Sequence, residues 1–156
     1  MQAKAALKLF SRLKQKERRI HLSRMNSISF MGVVQPVGDE MRMFRKPNGL
    51  WYGINDWCAS EEMGWVHDHI HEVILDESKI LKITNLDEFD DFEKEYGDVD
   101  PLLAKLERQF PGQMMSFRRG METIRFDKVA ETYSGIEITP YLYERRLTSM
   151  WYYGWD

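Results

Sequence analysis

Between Asn85 and Gly112 the chain carries two complete sets of helix start and stop signals, one directly after the other. Asn85 followed three residues later by Glu88 is a capping-box arrangement, in which two side chains satisfy the exposed amides of a first helical turn. Leu86, Phe89, Phe92 and Tyr96 then recur at helical spacing, and Gly97 closes the run. Asp100-Pro101 opens a second helix, because proline is tolerated where the first turn has no use for its N–H. Leu102, Leu103, Leu106 and Phe110 fall on its inner side, and Pro111-Gly112 stops it. The flanks differ in kind. Glu72 to Leu75 and Lys79 to Ile83 read as strand pieces about a turn at Asp76-Glu77-Ser78, and Gly135 to Thr139 reads as another strand. Phe126, Val129, Ala130 and Tyr133 predict a short helix before it, and residues 112–122, rich in Met and Arg, predict a loop. Met150 to Trp155 predicts a final strand, with Trp151, Tyr153 and Trp155 in the core and Tyr152 turned to a cleft or partner. Strands and helices interspersed in this way predict an α+β fold, a single domain with a mixed or antiparallel sheet.

Charge divides the chain unevenly. Residues 1–24 hold eight Lys or Arg against Glu17 alone, a charge of +7, which leaves −10 for the remainder of a chain whose net charge is −3. Ala3, Ala6, Leu7, Phe10, Leu13 and Ile20 lie at helical spacing between those basic residues, so residues 1–24 predict a basic amphipathic helix. This gives two parts, an arm over residues 1–27 and an α+β domain over 28–156. The arm is expected to dock through Leu7, Phe10 and Leu13; a phosphate- or lipid-seeking element and a targeting presequence are the alternatives. The acids cluster as well: residues 86–100 hold eight Asp or Glu against Lys94. Most of them fall on the solvated side of the first capped helix, which gives them no catalytic weight.

Upstream, Ile28, Phe30, Met31, Val33 and Val34 form an apolar run that ends at the turn signal Pro36-Val37-Gly38-Asp39. Met41 and Met43 alternate with Arg42 and lead through Phe44 to Arg45 and Lys46, a strand with basic residues on one side. Pro47-Asn48-Gly49 turns the chain into a second short strand, Gly49 to Gly53, and Asn55 or Asp56 caps a helix carrying Trp57 that stops at Gly64. A cation, a strand edge between glycines and several aromatics within so few residues suit a flat, phosphorylated ligand. Arg offers a planar fork to a pyrophosphate, the glycines permit close backbone approach, and Trp51, Tyr52 and Trp57 supply flat faces.

Other chemistries find less support. His67, His69 and His71 stand two apart, a spacing that on a strand would put three imidazoles on one face. The polarity around them favours an exposed His-rich loop entering a strand, and no structural metal is expected. Cys58, the single cysteine, excludes an internal disulfide and a Cys-based zinc site, and fits a reducing, cytoplasmic setting. No serine lies in a nucleophile elbow, and there is no phosphate loop and no Rossmann glycine triplet, which argues against a nucleotide hydrolase or a nicotinamide-dependent dehydrogenase. No apolar run approaches the roughly 20 residues of a membrane span.

The order of these elements resembles the ADP-ribosyltransferase fold of small bacterial and phage proteins, over about residues 40–156. It runs from a strand with Arg45, through Gly49 to Gly53, to a helix with Trp57 on its first turn. The strand pieces from Glu72 to Leu81 come next, and a short helix leads into Tyr133-Ser134-Gly135-Ile136-Glu137-Ile138. The resemblance implies NAD as cofactor and ADP-ribose transfer to a macromolecular target, or cleavage of NAD. Carried over, Arg45 serves the NAD ribose and phosphate, Gly49 and Leu50 to Tyr52 hold the nicotinamide amide through backbone, and Trp57 stacks on the ring with Tyr52 as substitute. Glu137, Glu144 and Asp156 are the candidates for the acid that polarises the ribose, Glu137 and Asp156 foremost. A carboxylate there would stabilise a developing oxocarbenium ion. The family's Ser-Thr-Ser motif and Glu-x-Glu pair are missing.

The competing class is a non-catalytic inhibitor or interaction protein of phage type, which binds a host protein through its acidic or aromatic surface. An acidic face can occupy a basic groove by the electrostatics that drive phosphate recognition.

Overall fold

The computed structural model describes residues 18–29, 33–35, 46–54, 68–99, 101–112 and 122–155. Strands and helices are interspersed along these residues, and the small sheets include both antiparallel and parallel pairs, so the fold is α+β. The chain divides into two compact units, one from Met1–Gly32 and Gly49–Leu75, the other from Val33–Asn48 and Asp76–Asp156.

In the first unit, strand β1 (Arg19–Ser23) lies between β2 (Gly53–Ile54) and β3 (His69–Glu72), antiparallel to both. Successive side chains of a strand point to opposite faces. The register sets Ile20 against Glu72 and Leu22 against Ile70, while His21 faces His71 and Ser23 faces His69. One face is therefore mainly apolar, with Ile20 buried on it, and the other carries imidazoles.

This sheet corrects several expectations. Arg19–Ser23 is a strand and not the end of an amphipathic helix, because Arg19-Ile20-His21-Leu22-Ser23 alternates polar and apolar with period two. Residues 1–17, the rest of the expected arm, lie outside the described residues. From His69 onward the chain is strand and not loop, whereas Val73 to Leu75, expected as strand, is not, and Ile74 is 92% exposed. Similarly, Gly49 to Tyr52 is irregular, and pairing with β1 covers only Gly53 and Ile54.

The second unit holds the larger core. β4 (Ile80–Ile83) and β7 (Gly135–Ile138) pair in parallel, with Ile80 beside Gly135 and Ile83 beside Ile138. A parallel pair needs a long crossover. Here the connection includes α1 (Leu86–Tyr96), β5 (Gly97–Val99), α2 (Pro101–Gln109), β6 (Glu122–Ile124) and α3 (Phe126–Thr132), with β5 and β6 antiparallel. Two single-turn helices close the chain, α4 (Tyr143–Arg146) and α5 (Met150–Tyr153).

The start of α1 follows its sequence signal with one change. The Glu88 amide donates to Asn85 Oδ1 at 2.9 Å, as a capping box requires. The Glu88 carboxylate, however, reaches back one residue further, accepting from the Thr84 amide at 2.7 Å and its hydroxyl at 2.9 Å. Those bonds, the amide's first, hold Glu88 below the usual carboxylate range. A short turn of 3₁₀ helix at Glu77–Lys79 is capped in the same manner by Asp76, which accepts from the Ser78 amide and hydroxyl.

Phe89 and Phe92 are buried with Ile83, Ile124, Val129, Leu142, Trp151 and Tyr152. Burial of side chains this large contributes about 2 kcal/mol each. Two further expectations are corrected here. Phe110 is 49% exposed and not inside α2. Met150–Tyr153 is helical, so the neighbours Trp151 and Tyr152 are both buried while Tyr153 is 49% exposed. A strand with one wet face could not bury two consecutive rings; a helical turn against a core can.

Candidate functional site

The imidazole face of the first unit is built by register. β1 and β3 place His21 directly across from His71, and their ring centroids lie 6.2 Å apart. His69, two residues along β3, has its ring 6.4 Å from that of His71. Arg19 and Ser23 flank His21 on the same face of β1, since residues two apart share a face.

Two of these rings are oriented by backbone carbonyls. His21 Nδ1–H donates to the Trp51 carbonyl at 2.5 Å, and His71 Nε2–H donates to the Met25 carbonyl at 3.0 Å. A carbonyl only accepts, so each contact fixes which nitrogen carries hydrogen, and the opposite ring nitrogen faces elsewhere. His21 thereby ties the centre of the sheet to the segment Leu50-Trp51-Tyr52, all half-buried, which enters β2 at the buried Gly53. Imidazoles can donate to or accept from a phosphate or a ribose hydroxyl, and the neighbouring rings offer stacking surface.

Gly49 lies before this segment in an exposed bend, with no atom within 4 Å of where a Cβ would stand. Arg45, Trp57 and Asp156, proposed for phosphate contact, ring stacking and catalysis, lie outside the described residues, as do Cys58 and His67. Glu137 is buried in β7 of the second unit, at the register position beside Lys82. Glu144 is exposed on α4 of the same unit. The structure thus brings His21, which no sequence motif marks as a site residue, to Trp51. The available signal was the shared polar-apolar alternation of Arg19-Ile20-His21-Leu22-Ser23 and His69-Ile70-His71-Glu72.

No protein-family model, curated protein or solved structure matches the chain. Among the described residues, no group of three or more His, Cys, Asp or Glu side chains is placed to hold a metal ion. Among them, too, no helix is long and apolar enough to cross a membrane.

A second surface is set by α1. Asp87, Asp91 and Glu95 recur every four residues on its exposed side, about 6 Å apart along the axis at 1.5 Å per residue. The acids between them have structural partners. Asp90 forms a two-point ion pair with Arg145, at 2.7 and 2.6 Å, and Glu93 accepts from the Trp151 indole at 2.6 Å.

Proposed function

We propose that the protein binds a nicotinamide nucleotide at the imidazole face of β1 and β3 beside Leu50 to Gly53, and acts as an ADP-ribosyltransferase-like protein on a macromolecular target. The observation that carries this reading is the bond from His21 to the Trp51 carbonyl. It sets an oriented imidazole against the aromatic, glycine-flanked segment that suits a flat ligand. In this proposal His21 takes the ribose or phosphate role on the first strand, and Trp51 and Tyr52 supply the stacking surface.

Titration with NAD, followed by calorimetry and by melting temperature, tests binding; release of nicotinamide tests turnover. His21→Ala is expected to weaken binding at least tenfold, a loss of about 1.4 kcal/mol. A parent protein that neither binds NAD nor releases nicotinamide would sink the proposal.

A second reading has its own observation, the stripe Asp87, Asp91 and Glu95 on the exposed side of α1. Carboxylates at that spacing can face a basic groove that otherwise accepts phosphates, as an inhibitor of a host protein would. The complex would weaken steeply with salt, and reversing the three charges would abolish it without any effect of NAD. Binding that ignores both salt and charge reversal would exclude this reading.

A further inference from the structure

Asn48 precedes Gly49 in an exposed bend, where Gly49 has φ 157° and open space around the position a Cβ would take. Glycine is the residue that least hinders approach to its own amide nitrogen, and an asparagine side chain just before it can close onto that nitrogen. We infer that Asn48 is a site of spontaneous deamidation, an inference independent of any bound nucleotide. The Gly49 nitrogen attacks Asn48 Cγ and a new C–N bond forms. The side-chain nitrogen leaves as ammonia, taking up the proton that the Gly49 amide loses. Water then opens the five-membered imide at either carbonyl, giving Asp or its isomer with the backbone routed through the side chain.

The change reaches a specific set of bonds. The Asn48 amide donates to Gln35 Oε1 at 2.9 Å, and the Asn48 carbonyl accepts from Gln35 Nε2 at 2.7 Å. The Asn48 side-chain Nδ2 donates to the Val34 carbonyl at 3.0 Å. A carboxylate has no hydrogen to donate and would set negative oxygen against the Val34 carbonyl, so deamidation removes this third bond. The isomerised product also lengthens the backbone at the entrance to Leu50-Trp51-Tyr52.

The test is peptide mapping by mass spectrometry on the full folded chain, held at neutral pH and compared with a synthetic peptide spanning the same residues. The peptide holding Asn48 is expected to gain one mass unit and split into two isomers, more slowly than the synthetic peptide because the bond from the Asn48 side chain to Val34 must open first. Gly49→Ala is expected to slow this several-fold, and Asn48→Gln to stop it. Asn48 unchanged in the folded chain while the synthetic peptide converts would overturn the inference. For the consequence, Asn48→Asp should speed hydrogen exchange at the backbone amide of position 48, and unchanged protection there would overturn the predicted loosening.

Discussion

The indole nitrogen of Trp151 donates to Glu93 Oε1 at 2.6 Å, joining a single-turn helix near the end of the chain to the middle of α1. The same indole stacks on Phe89 with centroids 5.2 Å apart and meets Phe92 at 5.6 Å. One side chain thus joins the apolar side of α1 to its acidic run. Trp151→Ala is expected to destabilise the protein by about 3–5 kcal/mol, as large truncations in a packed core do. Trp151→Phe keeps a ring against Phe89 but loses the bond to Glu93, and should cost about 1–3 kcal/mol. Urea denaturation of both variants checks this. A Trp151→Phe variant as stable as the parent would mean that ring volume, and not the hydrogen bond, carries the effect.

Tyr152 is fully buried, and its hydroxyl accepts from the Leu142 amide at 3.0 Å. Tyr152→Phe leaves the ring in place and removes the acceptor of a buried backbone donor. The expected cost is about 1–3 kcal/mol in chemical denaturation. A variant as stable as the parent would show that this amide finds another acceptor.

The elements legible in the sequence are those with local signals. Asn85, Glu88 and Gly97 mark α1, Pro101 marks α2, and Gly135 to Ile138 has the β-branched content of a strand. The C-terminal segment is ambiguous in sequence because aromatic density has no period of its own, and Trp151 beside Tyr152 fits a strand or a helix until the core they meet is known. β1 is masked in sequence because a basic run that begins with helical spacing turns, at Arg19, to period two. The site was only partly legible. Trp51 and Gly53 carried local cues, but His21 lies 30 residues from Trp51, and only strand pairing brings the two together.

Gly97 offers a sharp test of how α1 ends. A Cβ there would lie 2.3 Å from the Glu93 carbonyl oxygen, which also accepts from the Gly97 amide. Backbone cannot swing aside as the tip of a side chain can, so Gly97→Ala must shift the last turn of α1 or the start of β5. A loss of about 1–3 kcal/mol is expected, the usual range for forced overpacking. Asn85→Ala at the other end of the helix should cost about 1 kcal/mol through its lost cap. Thermal melts of the two variants check both values, and a neutral Gly97→Ala would show that the helix end relaxes freely.

Asp127 sets the expected response to acid. Arg125 grips its carboxylate at two points, Nε to Oδ1 at 2.9 Å and Nη2 to Oδ2 at 2.7 Å, on the first turn of α3. That hydrogen-bonded contact, more than the bare charge of Arg125, holds Asp127 below the usual carboxylate range despite partial burial. A carboxyl lowered on folding stabilises the folded state at any pH above its ordinary value, and the contribution is lost as pH falls through the lowered one. Asp127→Asn is therefore expected to be less stable than the parent at neutral pH. The gap should stay constant down to the ordinary aspartate range and close below it, as the parent's carboxyl takes up its proton. Asp76 and Glu88 are lowered too, but both proteins share them, so the difference between the two curves isolates Asp127. The measurement is urea denaturation of both proteins at stepped pH. A gap of constant size down to the most acidic point would show that Asp127 acts through its shape and neutral hydrogen bonding, and that its charge adds nothing to folding.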